Sequence, residues 1–325
     1  MPGATFNPAG GAQTVVGFGV ENQAAPGVAV PPTIFLAVDP DSLEGSFDPK
    51  RSTENLAVGS IFNKQRVTDK DGEVVGKVKV PLSDVAVMSF LAQCGFMDTL
   101  TGAAAPYTHT MPITRPKFIT LYIQRAGQCE VYAGMLCKGG KLTFNSKQVA
   151  YLEGDFEGIK RPADHAPLVP VYLQDYTYGA TDLQPSQLQT DAAQTSVDVE
   201  DIEVSWMFTL DRFYGAGGNG LPTYLTPTEA DVTAKATKIF RNADAYNAFR
   251  AAAPTPGLIK FGVGNTPARS VVLAIPGAFV PKHGWKTPSA GTVVEDFEFM
   301  TDHAAAIVPL TLTVINGDNT VYATA

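Results

Sequence analysis

Charge is scarce in this sequence: only 17% of its 325 residues are Asp, Glu, Lys or Arg, against roughly a quarter in a typical soluble domain. The shortfall predicts that partners bury part of the surface. Basic residues are the scarcer sign, leaving a net charge of −8. No run of Lys or Arg is dense enough to neutralise a phosphate backbone, which excludes sequence-reading DNA binding. The acidic balance is compatible with a repelling wall that DNA touches without binding.

Histidine is rarer still. His109, His165, His283 and His303 are the whole supply, and none stands in a motif that pairs a base with a nucleophile. His109 is expected on a strand or at the surface, and the other three in turns. Asp164-His165 and Asp302-His303 lack a third ligand, so no metal site is predicted. Cys94, Cys129 and Cys137 are odd in number and form no CxxC pair, which argues against a disulfide framework and for a reduced, cytosolic chain. No apolar stretch approaches the 18 residues of a membrane span. Residues 1–19 lack the basic and apolar regions of a signal peptide, so cytosolic synthesis is expected. The GAGGNG run at 215–220 precedes Leu-Pro rather than a helix and so lacks the setting of a phosphate cradle. No catalytic residue, cofactor or metal is predicted, and the chain is not expected to be an enzyme.

What the sequence does have is punctuation. Thirty Gly and 24 Pro separate short segments rich in β-branched residues, which predicts a mainly β fold. The length suits two domains of about 150 residues. Residues 72–91, GEVVGKVKVPLSDVAVMSFL, read as a strand, an N-cap at Ser83-Asp84 and a short helix. Residues 230–249 repeat that pattern around Lys235, with Asn242 at the helix start.

The neighbouring segments recur in the same order. FITLYIQR at 118–125 matches GLIKFGVG at 257–264, CEVYAGMLCK at 129–138 matches RSVVLAIPGAF at 269–279, and VAYLEGDFEG at 149–158 matches VVEDFEFMT at 293–301. A further strand is read at 141–146. IEVSWMFTLD at 202–211 opens the second copy, and 306–322 offers a strand, an Asn-Gly turn and a short closing strand.

The organisation expected is an N-terminal arm at 1–30, a first domain at 31–160, a Pro/Gln-rich linker at 161–199 and a second domain at 200–325. The arm is either a disordered tail or, through Val15, Val16, Phe18 and Val20, an edge strand for a neighbour. Polar loops are predicted at 39–71 and 212–228. The first holds Lys50, Arg51, Glu54, Lys64 and Arg66, and the second Arg212, Tyr214 and Tyr224. Each loop is either solvated or docks on another subunit.

Period 2 sets Glu153, Asp155 and Glu157 on one face of their strand, with Glu295 or Asp296 and Glu298 in the matching one. These carboxylates suit an ordinary solvated face or an acidic wall.

The ordered segments TIFLAVDPDSLEG, GEVVGKVKVPLSDVAVMSFLAQCG, YTHTMP, FITLYIQRAGQCEVYAGMLCKGGKLTF, VAYLEGDFEG and IEVSWMFTLD together resemble the major tail tube protein of long-tailed, non-contractile bacteriophages. The resemblance implies a β-sandwich with one short helix, and with the internal repeat it gives two tandem tail-tube-like domains. Their sheets would close with those of neighbours into a barrel around a channel. Three chains would then form a pseudo-hexameric ring, and rings would stack into the virion tube that conducts double-stranded DNA.

It further implies tape measure, tail tip and tail terminator partners, with the long loops bridging rings. Glu153, Asp155, Glu157, Asp296 and Glu298 become candidates for the lumen. The strands at 72–80, 202–211 and 230–240 are alternatives, with Glu73, Lys77 and Lys79 on one face. Two other classes stay open: the tube of a contractile injection or type VI-like secretion machine, and a ligand-binding β-sandwich surface module.

Overall fold

The computed structural model describes residues 14–39, 43–56, 64–125, 127–145, 147, 149–172, 178, 182, 199–216, 221–239, 257–266, 268–286, 293–301 and 308–321. In chain order its elements are β1 (Val15–Val20), β2 (Ile34–Leu36), β3 (Glu44–Leu56), β4 (Lys64–Pro81), α1 (Asp84–Gln93), β5 (Thr99–Thr101), β6 (Tyr107–Pro112) and β7 (Ile119–Arg125). They continue with β8 (Gln128–Asn145), β9 (Tyr151–Gly158), β10 (Val199–Phe213), β11 (Tyr224–Ile239), β12 (Gly257–Thr266), β13 (Arg269–Lys286), β14 (Val294–Thr301) and β15 (Thr311–Asn316). Every pairing between them is antiparallel. The fold is mainly β.

Eight strands lie side by side in the order β3-β4-β9-β8-β10-β11-β14-β13 and form what we term the inner sheet. Alternation makes one side of it apolar: Val74, Val78, Leu152, Phe156, Leu142, Val204, Trp206, Val232, Phe297 and Phe299 are all buried. A second layer covers that side. In the first half it is β2-β1-β7 with the N-terminal part of β8, and in the second it is β12, the N-terminal part of β13, β15, β6 and β5. Phe18 of β1, Phe90 of α1 and Phe156 of β9 meet between the layers, with ring centroids 5.9–6.1 Å apart. Each such buried side chain contributes about 1.5–3 kcal/mol over leaving it in water.

Two strands belong to both layers. β8 pairs with β7 at its start and with β9 and β10 at its end. β13 likewise leaves β12 and β15 to join β14. Each changes layer beside a glycine at positive φ, Gly134 at 66° and Gly277 at 70°, a conformation that side chains with a Cβ rarely adopt. Register shifts lie next to both, as expected of bulges that bend a strand.

Several expectations change. The polar segment 39–71 is largely strand: β3 and the first part of β4 form a hairpin that begins at Glu44↔Lys77 and extends to Leu56↔Lys64. Its ladder is main chain, so it needs no apolar alternation and reads as a loop. Loop 212–228 also shrinks, because β10 runs to Phe213 and β11 starts at Tyr224. The strands expected at 129–138 and 141–146 are one, passing straight through Gly139-Gly140.

β1, assigned by composition to an arm, pairs with β2 and β7 of its own chain, with Val16 and Phe18 fully buried. The helix expected from 83 is α1, with extended Ser83 at its N-cap, whereas the one expected at 242–249 lies outside the described residues. Past Asn316-Gly317 the described chain holds no closing strand. In the linker, described residues 161–172 form no strand, Val169 and Val171 are exposed, and Tyr178 is buried with its N–H donating to Leu82 O at 3.0 Å.

Candidate functional site

The side of the inner sheet turned away from the core is polar, and register arranges it in rows. One row runs Glu44, Lys77, Asp155, Gly139, Met207 and Asp231. Its counterpart in the second half runs Glu203, Lys235, Glu298 and Lys282. Both begin Glu, Lys, carboxylate. A third row, Lys79, Glu153, Lys141, Ser205, Thr233 and Met300, crosses from one half to the other. Together these strands form a shallow concavity of about 650 Å³, lined by Lys77, Lys141, Asp155, Met207 and Asp231 among others.

The sequence left two sets of strands as alternatives for a channel wall, and the structure puts both on this one face. Glu153 and Asp155 stand beside Lys77, at 3.7 and 3.9 Å, and Glu153 is also 4.0 Å from Lys79. Asp296 accepts a hydrogen bond from Thr237 Oγ1 at 3.0 Å, and Glu298 is flanked in register by Lys235 and Lys282. The face is therefore one of alternating charge, not a purely acidic wall. Each partly exposed pair is worth about 0–1 kcal/mol, so the pattern does more for the potential over the sheet than for its stability.

Glu157 differs from its neighbours. It is only 3% exposed, because Arg212 reaches across from β10 and donates to it through Nε and, at 2.9 Å, through Nη2. Lys138 is 4.0 Å away, and Arg212 also meets Glu73 at 3.3 Å. The hydrogen bond that Arg212 donates to Glu157 pushes the Arg212 pKa up, against the opposing effect of burial. Glu157 is thus a buried acceptor beneath Arg212, and Arg212 itself stays exposed at the surface while bound to it.

Of the other loop candidates, Tyr214 and Tyr224 are exposed at the base of the β10–β11 turn, and Phe118 lies 5.5 Å from Tyr224 between ring centroids. Phe213 joins them at 67% exposure. The sequence offered a signal for it, an aromatic pair closing a strand whose outward positions had been polar. Register sets Arg51 opposite Asp69, Glu54 opposite Arg66 and Lys64 opposite Leu56 on the β3–β4 hairpin. Lys50 falls at that hairpin's register shift.

The remaining titratable groups hold the fold. His109, expected on a strand or at the surface, lies on β6 but is wholly buried, with Nδ1 3.0 Å from Asp98 Oδ2 and Nε2 donating to Asp318 O at 2.9 Å. That contact ties β6 to the segment after β15. Cys94, Cys129 and Cys137 are free and buried, and burial pushes the Cys94 thiol well up and that of Cys129 to about 11. Among the described residues no three His, Cys, Asp or Glu side chains converge as a metal set, and no helix is long and apolar enough to cross a membrane.

The fold defines a two-layered, antiparallel β protein whose broad polar face is a ladder of paired charges. The chain belongs to the phage tail tube protein family, whose model matches residues 11–301. A comparison with curated proteins finds no match. Family membership makes it a structural protein of the virion tail that assembles with itself into a tube.

Proposed function

We propose that the chain builds the tube of a long-tailed, non-contractile phage, as two tandem tail-tube-like domains fused in one polypeptide. Three copies form a ring of pseudo-sixfold symmetry, and rings stack into the hollow conduit through which double-stranded DNA leaves the capsid. The observation that carries this reading is the repeat of strand order. β3-β4-β9-β8 and β10-β11-β14-β13 are the same four-strand unit laid twice in one sheet, with Gly134 and Gly277 bending equivalent strands. A repeated unit joined edge to edge propagates by rotation, and a rotation that closes makes a ring. Closure also removes the exposed sheet edges that would otherwise invite uncontrolled pairing.

On this reading the charged face lines the channel. Glu153, Asp155, Asp296 and Glu298, with Lys77, Lys79, Lys141 and Lys235 between them, present fixed charges of both signs to passing DNA. A phosphate attracted to one lysine meets carboxylates on either side, which limits adhesion. The β3–β4 hairpin and the exposed Phe213, Tyr214 and Tyr224 are the groups offered to the next ring. Tape measure, tail tip and terminator proteins complete the set of partners.

Electron microscopy of the purified protein tests the proposal. Hollow, regularly striated rods or closed rings with threefold symmetry are expected. Monomers alone at high concentration would overturn it, and rings of six separate chains would overturn the fused-domain arrangement.

A further inference from the structure

Within the chain the two halves meet at one junction of the inner sheet, where β8 pairs with β10. Asp201 lies opposite Asn145, Glu203 opposite Thr143, Ser205 opposite Lys141 and Met207 opposite Gly139. Lys141 and Glu203 form an ion pair there at 3.4 Å, and the Trp206 indole lies across Gly140. Among the described residues, the sheet then ends on both sides. β3 pairs only with β4, and beyond Ala278 the edge of β13 opposite β14 carries no strand. Gly284 is exposed, and a Cβ built there meets nothing within 4 Å, so the face of the sheet at this position is uncovered.

The repeat says which positions correspond. Glu44 faces Lys77 as Glu203 faces Lys235, and Phe47 faces Val74 as Trp206 faces Val232, so β3 is the counterpart of β10. Asp155 faces Gly139 as Glu298 faces Lys282, and Glu153 faces Lys141 as Asp296 faces Gly284, so the end of β13 is the counterpart of the end of β8.

The geometry points to an intermolecular copy of the β8–β10 junction: the end of β13 pairs antiparallel with β3 of a second copy of this chain. Register carried over from the internal junction sets Lys286 opposite Glu44, Gly284 opposite Ser46 and Lys282 opposite Asp48. Two Lys then meet two carboxylates, although register was transferred from a junction holding Thr143 and Gly139 at those positions. Charge complementarity is thus an independent outcome of the transfer, and like charges there would have spoken against it. This interface rests on the ring-forming reading and specifies which edges close the ring and in what register.

Two kinds of variant test it. In the first, Lys282→Glu with Lys286→Glu, and separately Glu44→Lys with Asp48→Lys, each weaken ring or tube formation by roughly tenfold or more, while a mixture of the two assembles better than either alone. Because Glu44→Lys would also face Lys77 of its own chain, a second variant avoids charge. Ser46→Cys with Gly284→Cys, oxidised after assembly, yields a ladder of covalent oligomers ending at the closed ring, and neither single cysteine does so. Tubes that form normally with reversed charges, or that give no ladder with both cysteines, would overturn this edge pairing and leave the ring reading standing. Wild-type protein that forms neither rings nor tubes would overturn both.

Discussion

The first and second halves of the chain lay the same four strands side by side while sharing few residues. What they keep is register and charge: Lys77 and Lys235 each stand between a glutamate on the preceding strand and a carboxylate on the following one. They also keep the glycine bend of the strand that changes layer. They differ in what covers them. The first half is roofed by β1 from the N-terminal segment and the second by β15 paired with β6 from the other half, while α1 touches both, its Phe90 meeting Phe18 and Phe156 and its Met88 meeting Asn316 of β15. The polar face that would meet neighbours and DNA is the conserved part of the design, and the cover differs between the halves. Apolar cores tolerate such change when volume is kept, whereas a register slip of one residue exchanges the two faces of a strand.

The largest break in this comparison comes from the hairpins. β3–β4 reaches to Leu56↔Lys64, well past the last row of the sheet, and its counterpart β10–β11 runs nearly as far, to Phe213↔Tyr224. Deleting residues 51–69 is expected to abolish stacking while leaving rings and an unchanged melting temperature, measured by electron microscopy and calorimetry. Normal-length tubes from that variant would remove the hairpin from the contact between rings.

Next in size is the junction between halves. Trp206 is 2% exposed and packs edge-on against Phe96 at 5.1 Å. Trp206→Ala is expected to cost about 3–5 kcal/mol in urea unfolding, and a loss under about 1 kcal/mol would show that the halves are held by other contacts. The smallest effect sharpens the comparison. Lys77→Ala and Lys235→Ala are each expected to lower stability by no more than about 1 kcal/mol and by similar amounts. A large difference between them would mean that the repeated row is not equivalent in the two halves.

Much of this was legible because half-buried strands advertise themselves. In β9 and β10 every second residue is apolar, and the assigned faces are those found: Leu152 and Phe156 are buried and Asp155 exposed, Val204 and Phe208 are buried and Met207 exposed. The β3–β4 hairpin was hidden because polar residues dominate both of its strands. Gly139-Gly140 imitated a turn, although Gly140 is a place where strand and indole approach closely. His109 sits between two threonines, and nothing local announces that Asp98 and the carbonyl of Asp318 complete its bonds. Glu157 looked like its neighbours because its distinguishing partner, Arg212, is distant in sequence and comes from the other half.

The bend at Gly134 and Gly277 has a mechanical consequence. Since β8 and β13 each hydrogen-bond in both layers, neither layer can slide along the other without rupturing ladders in both. On the proposed ring reading, load applied to the charged face, whether by DNA under capsid pressure or by bending of the tail, would pass into the outer layer through covalent main chain rather than through side-chain contacts alone. Such a wall would resist shear as a single shell, stiff in its own thickness, and leave compliance to the joints between one ring and the next.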